Sequence, residues 1–520
     1  MIFMIFFALV ANLEAFKILV LNPYPSYSHQ RPILALTERL VAEGHELLVA
    51  SPNVVLGLEK HSNYTYADLS LGYRYKDDAE KGTKLYQRQV SKWDLPSILP
   101  GAINIVKQEL QSEAFLQFKQ LIHAEKIKFD VVIAQSILLP FLTPLAKELA
   151  GNAPIIAFSS FLMDLLTEDI VGNTAQLSFV PSPFGHFTNK MSLWQKIENW
   201  FSHLYVVSKI RGVIEASARE HYRETYGQTG ESVVDGCWAN TSLTLITSNA
   251  LYYYPRLLGP NIVEVGPLHL QPPKDLPKNL QDWLDGAEKG VIYFSFGSSV
   301  KTKSLAEDVI QNFLKFFGEL PAGYRVLWKW ELDEGIPGKS DNILTQKWMP
   351  QASVLAHPKT RLFITQGGLQ SFQEAVHYGV PTVSIPWVLD QECVTAKMVD
   401  AKVGIKLSPQ DVHSFASIKS AVETVLYDES YSRNMRELST KSHDFTAQAM
   451  DKAVFWVEHV ARHGGASHLR PSSADASLFE YLCLDVILDH FSVHKDELAN
   501  PFKTRSKPHA CYRPITVTQS

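Results

Sequence analysis

Residues Trp348 to Gln391 read WMPQASVLAHPKTRLFITQGGLQSFQEAVHYGVPTVSIPWVLDQ, an order of side chains suited to a planar, phosphorylated ligand. The apolar run Leu362 to Thr365 reads as a strand that delivers Gly367 and Gly368 onto a helix beginning near Leu369. A helix start leaves backbone N–H groups unpaired and carries the positive end of the macrodipole, which together make an anion site. A Gly-Gly pair before a helix is by itself an ordinary tight turn. Here it has company. Trp348 offers a flat face for a base, Gln351 can satisfy a base edge, and Glu374, more than one turn into the helix, can accept hydrogen bonds from ribose hydroxyls. Asp390 and Gln391, after the next strand, can hold sugar hydroxyls. A nucleotide ligand belongs at the carboxyl ends of strands in an open α/β sheet.

Such a site needs a βα scaffold, and the chain repeats one twice. Lys17 to Leu21 is a short apolar run followed by a Pro/Ser-rich turn, a helical pattern over Pro32 to Glu43, Gly44-His45, and a second run at Leu47 to Val49. Asp130 to Ala134 and Pro154 to Phe158 have the fully apolar style of parallel strands buried on both faces. Phe158 to Trp200, rich in Phe, Pro and polar residues, has no clean period and reads as a pocket wall. A new series starts near Leu243 to Thr247, and Pro267, Pro272, Pro273 and Pro277 mark an extended entry into a second domain. Strands follow at Val291 to Phe296, Arg325 to Trp330, Leu362 to Thr365 and Thr382 to Pro386. Between Phe445 and Ala461 apolar residues recur at helical spacing, with Gly464-Gly465 as a stop.

A chain of 520 residues is too long for one core, and 46% apolar with 20% charged residues is globular composition. The formal net charge of -5 gives no basis for nucleic-acid binding. Met1 to Val10 (MIFMIFFALV) leads to a small residue at Ala15, the pattern of a signal peptide over residues 1–15 and hence of the secretory pathway, in the endoplasmic reticulum lumen or beyond the cell. Of the sequons at Asn63 and Asn240, the polar surroundings favour Asn63. The four cysteines show neither a metal-ligand spacing nor a disulfide framework. No later run reaches the ~18 apolar residues of a membrane span, Lys495 to Leu498 spells a retention signal in the wrong place, and the polar stretch from His490 reads as poorly ordered.

With these motifs together the chain resembles the UDP-glycosyltransferase family, its invertebrate members above all, over nearly its whole length. The resemblance is carried by Gly297-Ser298 after the strand at Val291, Trp348 to Gln351, His357-Pro358-Lys359, the Gly-Gly helix start, Gly379-Val380-Pro381 and Asp390-Gln391. It implies an α/β fold of two facing Rossmann-like domains (GT-B type). Residues 16–245 would bind the acceptor and 246–443 the UDP-sugar, with a helix within 444–465 crossing back and 466–520 as a tail. By the same resemblance Trp348 stacks on uracil, Gln351 meets ribose or base edge, Glu374 the ribose, and Asp390 and Gln391 the donor sugar. Ser298 and Gly368 hold the diphosphate, flanked by Gln366 and Gln370, and Arg256 stands near the nucleotide. His29, after the first strand, takes the place of the general base; a neutral imidazole with a pKa near ~6.5 can accept the proton of an attacking hydroxyl. The implied reaction is an inverting transfer of a hexose, glucose first, from UDP-sugar to a small lipophilic acceptor such as a phenol or steroid. UDP-sugar is the co-substrate, and the absence of Asp-x-Asp agrees with metal independence. The oligomeric state, a homo-oligomer included, is left open.

The chain departs from the family's pattern in three places. Gln135 stands where many members carry the Asp that partners the histidine, and an amide orients an imidazole without stabilising imidazolium by charge. Gln366 stands where His is common, a form resembling viral ecdysteroid glucosyltransferases. Leu484-Asp485-Val486 is not followed by the spanning helix of animal relatives. The competing expectation is a catalytically weak nucleotide-sugar binder.

Overall fold

The computed structural model describes residues 14–80, 89–298, 300–481 and 483–488. Most of the expected signal segment and the polar tail from Asp489 lie outside the described residues. The first sheet contains β1 (Lys17–Leu21), β2 (Glu46–Ser51), β3 (Tyr64–Asp68), β4 (Val131–Gln135), β5 (Ile155–Ser159), β6 (Leu243–Ile246) and β7 (Ile262–Glu264). The strands are parallel in the order β3-β2-β1-β4-β5-β6-β7. Residues alternate between its two faces, as the period of two requires. Leu19 and Leu21 enter the core beneath the helices Leu95–Leu110, Leu139–Ala150 and Leu193–Tyr226, whereas Ile18 and Val20 pack under the helix Tyr27–Ala42.

The second sheet repeats the plan with β8 (Gly290–Ser295), β9 (Tyr324–Lys329), β10 (Ile343–Gln346), β11 (Thr360–Thr365), β12 (Thr382–Ser384) and β13 (Gly404–Lys406). Its order is β10-β9-β8-β11-β12-β13, again parallel. In each sheet the strand order reverses at one point, between β1 and β4 and between β8 and β11, and ligands bind such sheets outside the carboxyl ends of the strands there. The two Rossmann-like halves expected from the sequence are therefore present.

The boundary placed at 245/246 is corrected. It cuts β6, and both β6 and β7 hydrogen-bond into the first sheet, so that sheet extends to Glu264. The cause is legible locally: Leu243 to Ile246 is a buried parallel strand of the same style as those before it. The returning helix runs Ala449–His463, closed by Gly464 in the left-handed conformation, and its Ala453, Val454, Val457 and Val460 join the core of the first sheet. The helix expected at Pro32 begins earlier, at Tyr27, with Pro32 inside its first two turns. Among the sequons Asn240 is exposed, whereas Asn63 is half-buried with Nδ2 donating to the Gly44 carbonyl at 3.2 Å, the reverse of the expected ranking. From Ser472 the described residues belong to a separate small unit, with a turn at Ser472–Ala474 and a short helix at Leu478–Tyr481. Among the described residues no helix is long and apolar enough to cross a membrane.

Candidate active site

At the switch point of the second sheet, β8 runs into Gly297-Ser298 and β11 into Gln366, Gly367 and Gly368. Gly368 is the N-cap of the helix Leu369–His377 and brings no capping side chain, so the first-turn N–H groups are not capped from within. Gly367 is required by the backbone. Its φ is +78°, and a Cβ there would come 2.4 Å from Thr395 Oγ1. The amide of Gln366 is buried and lies between the two glycine turns: its Nε2 would be 3.2 Å from a Cβ on Gly297 and 3.5 Å from one on Gly368. Its Oε1 has no hydrogen-bond partner among the described residues. Ser298 is half-buried beside it. This is a neutral, donor-rich cradle at the positive end of a helix, fit for a diphosphate.

One and a half turns along that helix Glu374 is fully buried. Gln351 Nε2 donates to Glu374 Oε2 at 2.7 Å and to Ser371 Oγ at 3.0 Å, so the structure joins two residues that the sequence separates by a strand. Trp348 is 54% exposed and leaves ring surface open to stacking. At the carboxyl end of β12, Leu389 is non-glycine with φ +59° and turns the chain into Asp390. Gln391 Oε1 accepts from the Trp387 and Val388 N–H groups at 2.8 and 3.1 Å, which closes this turn. Burial pushes the Asp390 carboxyl up to about 6.

In the first half the switch point presents His29, in the first turn of Tyr27–Ala42. Its carbonyl accepts from Ser160 Oγ at 2.8 Å and its ring lies against Phe161. Burial, with Lys76 adding repulsion, lowers the imidazole to about 4, so the ring is neutral at ordinary pH and free to accept a proton. Among the described residues no hydrogen bond joins Gln135 to the ring; Gln135 Oε1 accepts from the Tyr24 N–H at 3.4 Å and braces the loop after β1. That loop is also held by Gln30, whose Nε2 donates to the Asn22 and Tyr24 carbonyls at 2.8 and 2.9 Å, a role the sequence does not announce.

Two other expected donor residues are committed elsewhere. Arg256 is buried in an ion-pair cluster, with Nη1 on Glu168 Oε1 at 2.7 Å and Nε on Glu264 Oε1 at 3.2 Å. It does not join the group around Glu374. Gln370 donates through Nε2 to the Ser160 carbonyl of the first half at 2.9 Å. Sequence reasoning missed Tyr27 and Arg31, which meet Trp348 and Glu374 from the first half. Among the described residues no three metal-ligating side chains converge.

Solved structures share this architecture. The calicheamicin glycosyltransferase CalG4 superposes with a TM-score of 0.54 at 18% identity, covering 86% of this chain and 99% of that one. Phytolacca americana UGT2, complexed with UDP-2fluoro-glucose and pterostilbene, gives 0.53 at 15% identity, covering 86% and 100%. At such identities the likeness is one of fold, the GT-B arrangement of two Rossmann-like halves. The model of the family described as UDP-glucoronosyl and UDP-glucosyl transferase matches residues 17–507, and the chain belongs to that family. It is a UDP-glycosyltransferase, an enzyme that moves a sugar from a UDP-sugar to an acceptor. It is 30% identical to UDP-glycosyltransferase UGT4 of Dactylopius coccus, over 91% of both chains. It is 29% identical to UDP-glucuronosyltransferase 2B13 of Oryctolagus cuniculus, over 89% of this chain and 87% of that one.

Proposed function

We propose that the enzyme transfers a hexose, glucose before glucuronate, to the hydroxyl of a small lipophilic acceptor such as a phenol or steroid, with inversion and without a metal. The reading rests on one arrangement. A neutral His29 stands at the switch point of the first sheet, and an anion cradle of Gln366, Gly368 and a helix start stands at the switch point of the second. His29 takes the acceptor proton as the oxygen attacks the anomeric carbon from the face opposite UDP, while the helix start and Gln366 receive the charge that develops on the departing diphosphate. Trp348 holds uracil, Gln351 and Glu374 the ribose, Ser298 the diphosphate, and Asp390 with Gln391 the hexose hydroxyls.

A relative named UDP-glucosyltransferase 2, from Dactylopius coccus, is 35% identical over 61% of both chains and supports glucose as the sugar. The apolar start of the chain supports a place in the secretory pathway. The test is purified protein with UDP-glucose, UDP-glucuronate and UDP-galactose against a panel of phenols and steroids, with UDP release and the anomeric configuration of the product as readouts. Retention of configuration, or undiminished turnover in His29→Ala, overturns the mechanism. Tight UDP-glucose binding with no product on any acceptor would point to a nucleotide-sugar binder.

A further inference from the structure

The first turn of Tyr27–Ala42 carries more than His29. Tyr27 and Arg31 are four residues apart and therefore share one helix face. Both meet residues of the second half. The Tyr27 and Trp348 rings lie at 86° with centroids 5.0 Å apart. Arg31 Nη1 pairs with Glu374 Oε1, an ion pair in which the guanidinium side chain is 26% exposed and the carboxylate not at all. We infer that Tyr27 and Arg31 are donor-positioning residues supplied by the acceptor half, so that the UDP-sugar site is completed only when both halves contribute. The inference rests on the reading of Trp348 and Glu374 as the uracil and ribose sites.

The hydrogen-bond capacity of Glu374 carries the argument. An ionised carboxylate accepts roughly four hydrogen bonds through its two oxygens. Gln351 uses one position on Oε2 and Arg31 one on Oε1, which leaves a position on each oxygen for a vicinal diol. A carboxylate shut away from water needs a compensating charge, and Arg31 is the cation on it. Tyr27 acts on the base side. Its ring meets Trp348 edge-on, Lys329 Nζ lies 6.0 Å from the tryptophan ring, and the edge-on contact fixes the tryptophan plane while leaving surface open.

His29 lies between Tyr27 and Arg31 on the same turn, and a second link runs alongside: Ser160 Oγ donates to the His29 carbonyl, and the Ser160 carbonyl accepts from Gln370 on the nucleotide helix. A nucleotide that settles Trp348 and Glu374 therefore settles the turn bearing the base.

Calorimetry with UDP and steady-state kinetics on the full chain test this. Arg31→Ala is expected to raise the UDP Kd and the KM for UDP-sugar about 10- to 100-fold while leaving the acceptor KM within about twofold, with Arg31→Lys recovering part of the loss. Tyr27→Ala should weaken UDP about 3- to 10-fold and Tyr27→Phe hardly at all. In a Glu374→Gln background Arg31→Ala should cost less than about twofold, because the charge it answers has gone. An unchanged UDP Kd in folded Arg31→Ala, or an equal loss in the Glu374→Gln background, overturns the inference. Should Arg31→Ala not fold, Arg31→Lys and Tyr27→Ala carry the same comparison, and wild-type UDP affinity in both overturns it. Failure of the wild-type protein to bind UDP would instead overturn the nucleotide reading beneath it.

Discussion

The imidazole of His29 lies against the ring of Phe161, with centroids 4.7 Å apart and planes at 67°. This contact is part of the burial that lowers the histidine to about 4, with Lys76 as the second cause. A group with a depressed pKa stays neutral as the pH falls until that value is reached. At saturating donor, turnover should be level from pH 8 to about 5 and fall only as the pH approaches 4. Phe161→Ala should move the limb upward toward the solvent value of ~6.5, and His29→Ala should cost about 10²- to 10⁴-fold in kcat. A limb at 6.5 in the wild-type enzyme would contradict the buried base.

Asp390 titrates in a different place. Burial raises its carboxyl to about 6, so it is the charged form that is lost as the pH falls through that value. The protonated group is a poorer acceptor for sugar hydroxyls. The KM for UDP-sugar should therefore climb below pH 6 while the acceptor KM stays flat, and Asp390→Asn should hold the donor KM at its high value across the range. Initial-rate pH profiles at varied donor separate this limb from that of His29; a donor KM independent of pH from 5 to 8 would remove Asp390 from the sugar site.

Gly367→Ala strikes the cradle through the backbone. A side chain at φ +78° costs about 1–3 kcal/mol, and its Cβ would in addition stand 2.4 Å from Thr395 Oγ1 and 3.3 Å from the Gln391 carbonyl. Lower thermal stability and a weakened UDP affinity are expected together, by melting and calorimetry. Unaltered affinity in the variant would separate the glycine turn from the anion site.

Much of this was legible in the sequence because parallel strands buried on both faces leave continuous apolar runs, as at Val131 to Ala134 and Leu362 to Thr365. The Gly-Gly helix start was legible for a related reason, since a strand running through glycines into a helix is a local pattern. The Trp348, Gln351 and Glu374 set rests instead on residue chemistry and family resemblance, and of it the structure shows Gln351 bonded to Glu374. What escaped was contact across the cleft. Nothing in the spacing of Tyr27 and Arg31 says that they meet Trp348 and Glu374, more than three hundred residues away. The partners of Gln135 and Gln370 escaped for the same reason, since amides take whichever carbonyl or N–H the fold brings near, here Tyr24 and Ser160. The boundary at 245 failed because the first sheet adds two strands after a long helical excursion through Leu193–Tyr226.

Glu109, in the helix Leu95–Leu110, is fully buried, and neither carboxyl oxygen is bonded among the described residues. It fits only because residue 72 is glycine; a Cβ there would stand 1.8 Å from Glu109 Oε1. Burial pushes its pKa to about 10, so the folded chain keeps a proton that the unfolded chain releases above ~4.5. Its contribution to stability is thus fully favourable below ~4.5 and erodes as the pH rises toward 10. Glu109→Gln removes that titration, and its melting temperature should gain on the wild type between pH 5 and pH 9. A constant difference across that range would show that Glu109 is ionised in the fold.

Arg256 distinguishes a structural from a donor-binding role. Its side chain is 5% exposed and answers Glu168, 3% exposed, together with Glu264, 16% exposed. Removing one partner of a buried pair leaves an uncompensated charge, commonly a loss of about 3–5 kcal/mol. Arg256→Ala should therefore lower stability strongly in denaturant titrations, whereas the UDP affinity of the folded fraction should stay within about twofold, because the arginine does not reach Trp348, Gln351 or Glu374. Arg256→Ala paired with Glu168→Gln should recover part of the stability, since the mutant then carries one fewer buried charge. A variant that keeps its stability and loses UDP would return Arg256 to the nucleotide site.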